Sequence, residues 1–247
     1  MAGGVYPFPL IEDGDFSIPS VFMKDVEGKR LLACVDKTVH LYSGAIRGHA
    51  VNYNILGRKG RDLNHRVVIS AHIDAKQGTP GALDNGVGVV VLLLLAELLQ
   101  AYDGERCIEL LALNGEDCYA VPGQMLYLRQ NEGKFTDIKL NINVDCAGYR
   151  NASTAFSPMN LPDETLHKLR RFLSSHTRFV EGMPWYQSDH SLFLQNGCPA
   201  IAVASQWFLE NIESQDVTHT TKDAPNMVDY QLVAEIATGI WELLQLI

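Results

Sequence analysis

RVVISAHIDA, Arg66–Ala75, is the stretch on which the fold turns. Val67, Val68 and Ile69 form a β-branched run too short for a helix and apolar on both sides, the pattern of a strand buried on both faces. It runs directly into His72-Ile73-Asp74, so polar groups stand where the strand leaves the sheet. The design recurs twice. CIELLALN (Cys107–Asn114) leads through Gly115 to Glu116-Asp117, and KLNINVD (Lys139–Asp145) ends on Asp145. Further strands are expected at Val51–Gly57 and Cys198–Ser205. Helical patterns fill Gly86–Tyr102, Pro122–Gln130, Pro162–His176, Ser188–Gly197 and Met227–Ile247. Apolar strands alternating with helices predict an α/β fold: a three-layer α/β/α sandwich around a mixed, largely parallel central sheet.

In such a sheet, ligand sites form outside the carboxyl ends of the strands. His72, Glu116, Asp117 and Asp145 should therefore meet in one crevice, although they are far apart in sequence. Asp84, in GALDNG before the long helix, and His219, in VTHTTKD, are two further loop candidates. No cysteine joins the set. Oxygen and imidazole donors suit zinc, manganese or cobalt. Four carboxylates gathered without a cation would repel one another and take up protons, which points to a pair of divalent ions. Taken alone, Asp84 also reads as the N-cap of the helix beginning at Gly86. Ser188-Asp189-His190 does not form a serine triad, because adjacent residues cannot fold into that geometry and the chain has no GxSxG elbow; it reads as helix-start packing and polarity behind the site. Trp185, Trp207 and Phe208 suit either a side-chain pocket or the core.

Composition sets the bounds. The 247 residues carry 20 Lys+Arg against 29 Asp+Glu, a net charge of −9. That acidic balance argues against nucleic acid as a partner and would suit a substrate with a free amine. With 47% hydrophobic and 20% charged residues the chain is an ordinary globular one. The longest apolar run, Val87–Leu99, is shorter than the ~20 residues that span a bilayer, so no membrane partner is expected. The opening residues show no signal peptide. Five scattered cysteines without a CxxC read as reduced thiols. Cytoplasmic residence is slightly favoured, with secretion or a periplasmic location following if an export segment was removed. Oligomeric state is not legible.

The stretches AHIDA, GALDNGVGV, NGEDCYAVPGQ, INVDCAG, SDHSLFLQNGCPAIAV and HTTKDAP, in this order, resemble the dinuclear zinc aminopeptidases, whose relatives include glutamate carboxypeptidase II and the glutaminyl cyclases. The resemblance covers residues 49–247, which it implies are a metallopeptidase catalytic domain of zinc-exopeptidase type acting on peptides with a free N-terminus. It implies two Zn2+ per chain, with Mn2+ or Co2+ as alternatives. His72 and Asp145 would hold one ion, Asp117 and His219 the other, and Asp84 would bridge them. Glu116 would be the general base, and the Asp74 carboxylate would fix the His72 tautomer from behind. The Asp84–Asn85 peptide bond is expected to be cis. Residues 1–48, through FPLIEDGDFSIPSVFM (Phe8–Met23), resemble the tail of a protease-associated insert. This implies either that the numbering starts inside a longer protein or that the chain is an unusually short member.

Two departures from the family pattern stand out. The usual Glu-Glu pair is here Glu116-Asp117, one methylene shorter at the metal-binding position. Residue 218 is Thr where some relatives carry a Tyr that polarises the substrate carbonyl, and Tyr186 is the candidate for that part. A glutaminyl cyclase or carboxypeptidase-type reaction on the same fold is the alternative. A non-catalytic binding module, like the transferrin receptor ectodomain, is a third reading.

Overall fold

The computed structural model describes residues 25–42, 44, 49, 51–117 and 122–247. FPLIEDGDFSIPSVFM lies outside the described residues, and with it most of the segment read as an insert tail. Seven strands form one sheet: β1 (Ile55–Lys59), β2 (Asp62–His72), β3 (Arg106–Leu113), β4 (Ile138–Val144), β5 (Thr154–Met159), β6 (Phe179–Glu181) and β7 (Ala200–Ser205). Their spatial order is β1-β3-β2-β4-β7-β5-β6. The central four, β3, β2, β4 and β7, are mutually parallel; β1 and β5 join antiparallel to β3 and β7. This is the expected mixed, largely parallel sheet.

Period-two alternation divides the strands between two helical layers. Val67, Ile69 and Ala71 of β2 and Leu140, Ile142 and Val144 of β4 face one layer, made of α2 (Val87–Leu98), α4 (Asp163–Ser174) and α7 (Tyr230–Leu246). Val68 and Leu111 face the other, where α3 (Pro122–Gln130) and α5 (His190–Gln195) pack, with α6 (Gln206–Asn211) beyond them. Helix α4 starts with Asp163 and Glu164 in its first turn, where the helix dipole favours acids. Helix α7 is capped by Asp229, whose side chain accepts from the Leu232 N–H at 3.0 Å.

The sequence reading missed four elements. β5 and β6 join the sheet at its far edge, and α6 follows β7 without a loop. Ahead of the sheet, α1 (Asp25–Leu31) was not expected either, and it continues as a 3-10 turn through Cys34. Thr38–Tyr42 form no strand. The long apolar helix α2 is shorter than the expected Gly86–Tyr102 and passes into a 3-10 turn, Leu99–Ala101. Counted with that turn and with the kinked turn before α2, the stretch Ala82–Ala101 has 20 residues and a mean hydropathy of 2.0, enough by length and composition to cross a membrane. Half of that span is buried in the fold, with Val87, Val91, Leu92, Leu95 and Leu99 turned to the core.

One glycine fixes how α2 meets the sheet. A Cβ on Gly88 would lie 2.5 Å from Asn85 Oδ1, 2.7 Å from the Val144 carbonyl oxygen and 2.8 Å from Ala71 Cβ. The first turn of α2 thus rests on the ends of β2 and β4. Gly88→Ala is expected to lower the urea midpoint, because overlap costing about 1–3 kcal/mol exceeds the ~1 kcal/mol helix-propensity gain of alanine. A midpoint unchanged or raised would contradict this packing.

Candidate metal centre

The site assembles where three neighbouring parallel strands end. His72 is the last residue of β2, Asp145 directly follows β4, and Glu116 and Asp117 lie in the loop after β3. Asp84 sits in the tight turn Ala82–Gly86 that opens α2, and the Asp84–Asn85 peptide bond is cis. His219, at a φ of 62°, comes from the long connection before α7.

These side chains form two triads that share Asp84. His72 Nε2 lies 3.0 Å from Asp84 Oδ1 and 3.5 Å from Asp145 Oδ1. His219 Nε2 lies 2.9 Å from Asp84 Oδ2 and 3.1 Å from Asp117 Oδ1. In each triad, one donor atom per residue falls within 4.8 Å of the other two. His72 Nε2, Asp145 Oδ1 and Asp117 Oδ2 are buried and make no hydrogen bond among the described residues. Buried polar atoms are rarely left so. Three of them in one cluster of imidazole and carboxylate donors is the donor set that divalent cations satisfy. The residues present therefore fit two ions.

The surroundings aim these donors. His72 Nδ1 is 3.0 Å from the backbone carbonyl oxygen of Asp74, but 3.8 Å from the Asp74 carboxylate. The expected tautomer-fixing partner is thus the Asp74 main chain. Its carboxylate instead accepts the N–H groups of Gly115 (2.7 Å), Glu116 (3.1 Å) and Asp117 (3.0 Å), tying the β3 loop to the β2 loop. Asp223 does the same for the Asp84 turn, accepting from Leu83 (2.7 Å) and Asp84 (3.1 Å). Asn85 donates to the Val144 carbonyl at 2.8 Å. Ser188 donates to Asp145 Oδ2 at 2.6 Å and accepts from Asn143 at 2.9 Å. Asn143 in turn accepts from Ser70 (2.7 Å), which accepts from Asn141 (2.9 Å). Behind it, Gln124 donates to the buried Asp189 at 2.5 Å.

Residues 54–244 match the sequence model of peptidase family M28. The chain belongs to peptidase family M28. Aminopeptidase YwaD of Bacillus subtilis (strain 168) is 26% identical over 143 residues, covering 57% of this chain and 31% of that protein. A probable leucine aminopeptidase 2 of Aspergillus oryzae is 22% identical over 219 residues, covering 87% of this chain and 38% of its own. The chain thus spans about a third of these relatives' length. Among solved structures, a zinc aminopeptidase from Bacillus subtilis superposes with a TM-score of 0.62 at 20% identity, over 76% of this chain and 49% of that one. The LapA aminopeptidase of Legionella pneumophila gives 0.65 at 19%, over 77% and 53%. These likenesses carry the M28 fold.

Within this M28 chain the structure brings together His72, Asp84, Asp117, Asp145 and His219. Glu116 lies in electrostatic reach of His72, Asp145, Asp189 and Asp84. Tyr186 stands apart: it is 64% exposed, and among the described residues no hydrogen bond joins it to the cluster. The reading from sequence passed over Lys76, Asp223, Gln124 and the Asn141–Ser70–Asn143 chain. HTTKDAP and SDH carried a signal for the region, but none of these residues has a motif of its own.

Charge in the metal-free M28 chain is held by mutual pairing. Burial would lower the His72 pKa, but the Asp145 and Asp84 carboxylates outweigh it and raise it well above its ordinary value. His219 is lifted against burial in the same way, by Asp117 and Asp84, to about 10. Burial would raise Asp84, yet the two imidazoles hold it below the usual carboxylate range. Burial, with smaller contributions from Asp145, Asp189 and Asp84, pushes Glu116 well up. A group with a raised folded pKa stabilises fully below its unfolded value and loses that stability as pH rises through the folded value. The His219 pairing of metal-free protein is therefore intact below pH 6.5 and lost towards pH 10. Urea denaturation of metal-free protein should show stability falling across that interval. Saturating zinc should remove the fall, because an ion takes the imidazoles unprotonated. A flat profile without metal would contradict the pairing.

Proposed function

We propose that this chain is the catalytic part of a metal-dependent aminopeptidase, hydrolysing the first peptide bond of substrates with a free N-terminus. The observation that carries the reading is the pair of His–carboxylate triads joined at Asp84, with three buried donor atoms that make no hydrogen bond among the described residues. His72, Asp84 and Asp145 would hold one ion; Asp84, Asp117 and His219 would hold the other. Zinc suits this donor set, and Mn2+ or Co2+ suit it as well. When bound, such ions supply Lewis acidity and make water acidic enough to lose a proton near neutral pH.

The protein's own groups do the rest. Glu116 takes the proton from the attacking water and delivers it to the departing amine as the C–N bond breaks, so the proton count closes on the products. Glu116 and Asp145 are the candidate acidic partners of the substrate's α-ammonium. Asp74 holds the N–H groups on either side of Glu116 and so positions the base. Tyr186 is the proposed partner of the substrate carbonyl and would have to turn in from solvent. Residues 49–247 would make up this catalytic unit.

Glu116→Gln tests the assignment, because an amide nitrogen cannot accept the proton. Zinc content should remain that of the wild type, and turnover of aminoacyl-anilides should fall by about 10²–10⁴-fold. Undiminished turnover in that variant would remove Glu116 as the base.

A further inference from the structure

Lys76 lies at the mouth of the cluster, four residues after His72 and outside every residue role given so far. Its Nζ is 3.5 Å from Asp117 Oδ1, the same oxygen that His219 Nε2 approaches at 3.1 Å. It also donates to the Asp117 backbone carbonyl, which keeps the ammonium beside that carboxylate. The chain thus brings its own cation to one triad.

The triads also differ in how firmly they are built. His72 has a side chain 1% exposed and is gripped from behind through Nδ1 by the Asp74 carbonyl. Asp145 is fixed by the Ser188 hydroxyl. The side chain of His219 is 48% exposed, and among the described residues no hydrogen bond orients its ring from behind. Asp117 Oδ2 makes no hydrogen bond among the described residues. Partners behind the ligands are worth about 10–100-fold in metal affinity: in the His72 triad they hold both the imidazole and the carboxylate, whereas in the His219 triad they hold Asp117 alone, through Lys76 and the Asp74 carboxylate on its backbone N–H.

We propose that the two subsites are unequal by construction: His72–Asp84–Asp145 is the tight one, and Lys76 holds Asp84–Asp117–His219 as a weak, lysine-competed subsite. This rests on the metal-centre reading above. An ion entering the second subsite must share Asp117 with the ammonium, and the two like charges repel at close range. The first subsite therefore fills at lower concentrations of the free ion, and the second responds to the local supply. The shorter Asp117, in place of the family's glutamate, leaves this carboxylate less reach to serve an ion while remaining beside Lys76.

Titration of Zn2+ into the metal-free full chain by calorimetry, with bound zinc counted after gel filtration, tests this without any assay of turnover. Wild type should show one tight and one weak step, or a single step that takes up one zinc per chain. Lys76→Met should tighten the weak step, or reveal it, by at least about tenfold, and leave the tight step unchanged. Lys76→Arg, which keeps the charge, should behave as wild type, and His219→Ala should keep only the tight step. Two equal steps in wild type, or a Lys76→Met titration identical to wild type, would overturn the role given to Lys76 while leaving the metal centre standing. No zinc bound by any form would overturn the metal centre itself.

Discussion

A buried carboxylate with an imidazole against each of its oxygens is the constraint to which the rest of this fold answers. Asp84 stands between His72 and His219 at 3.0 and 2.9 Å, and Asp145 and Asp117 close the two sides. Three carboxylates at such range in a low-dielectric crevice are tolerated only with positive charge among them. Without metal, the neighbouring carboxylates raise the pKa of both rings and so favour their charged form. Cations bound there would supply the positive charge instead and would take the rings as neutral ligands.

The architecture serves that constraint. Parallel strands β2, β3 and β4 end side by side, so one crevice collects what three separate loops present. Each loop is then tied down by a carboxylate or amide spent on backbone groups: Asp74 on the β3 loop, Asp223 on the Asp84 turn, and Asn85 on the end of β4. Under the crevice, Ser70, Asn141 and Asn143 occupy positions that alternation turns towards α5, where hydrophobic packing would otherwise be expected. They pass hydrogen bonds from strand to strand up to Ser188 and Asp145. A satisfied polar chain of this kind costs stability relative to an apolar core and gains a defined orientation at its end.

The sequence made much of this legible, and the limits have physical causes. Strands buried on both faces are visible as continuous β-branched runs, which is why β2, β3, β4 and β7 were placed. β5 was missed because TAFSPM is short, carries Pro158 and pairs antiparallel near the sheet's margin; β6 has three residues and no period. α6 has six residues and begins directly on the last residue of β7. The ligand-type residues of the centre were readable because each follows a strand or falls in a stretch of family pattern. Asp223 and Lys76 were not, because a carboxylate that grips a turn, or an ammonium beside another carboxylate, leaves no mark in local periodicity. The Asp74 partnership was half legible: the residue was named, but its main chain, and not its carboxylate, meets His72.

The central claim is that Asp84 is shared by two divalent ions. Anomalous diffraction at the zinc edge from crystals grown at saturating zinc measures this directly. The account predicts two peaks, one on either side of the Asp84 carboxylate, the first against His72 and Asp145 and the second against Asp117 and His219. Zinc peaks elsewhere in the molecule with none against Asp84 would contradict it.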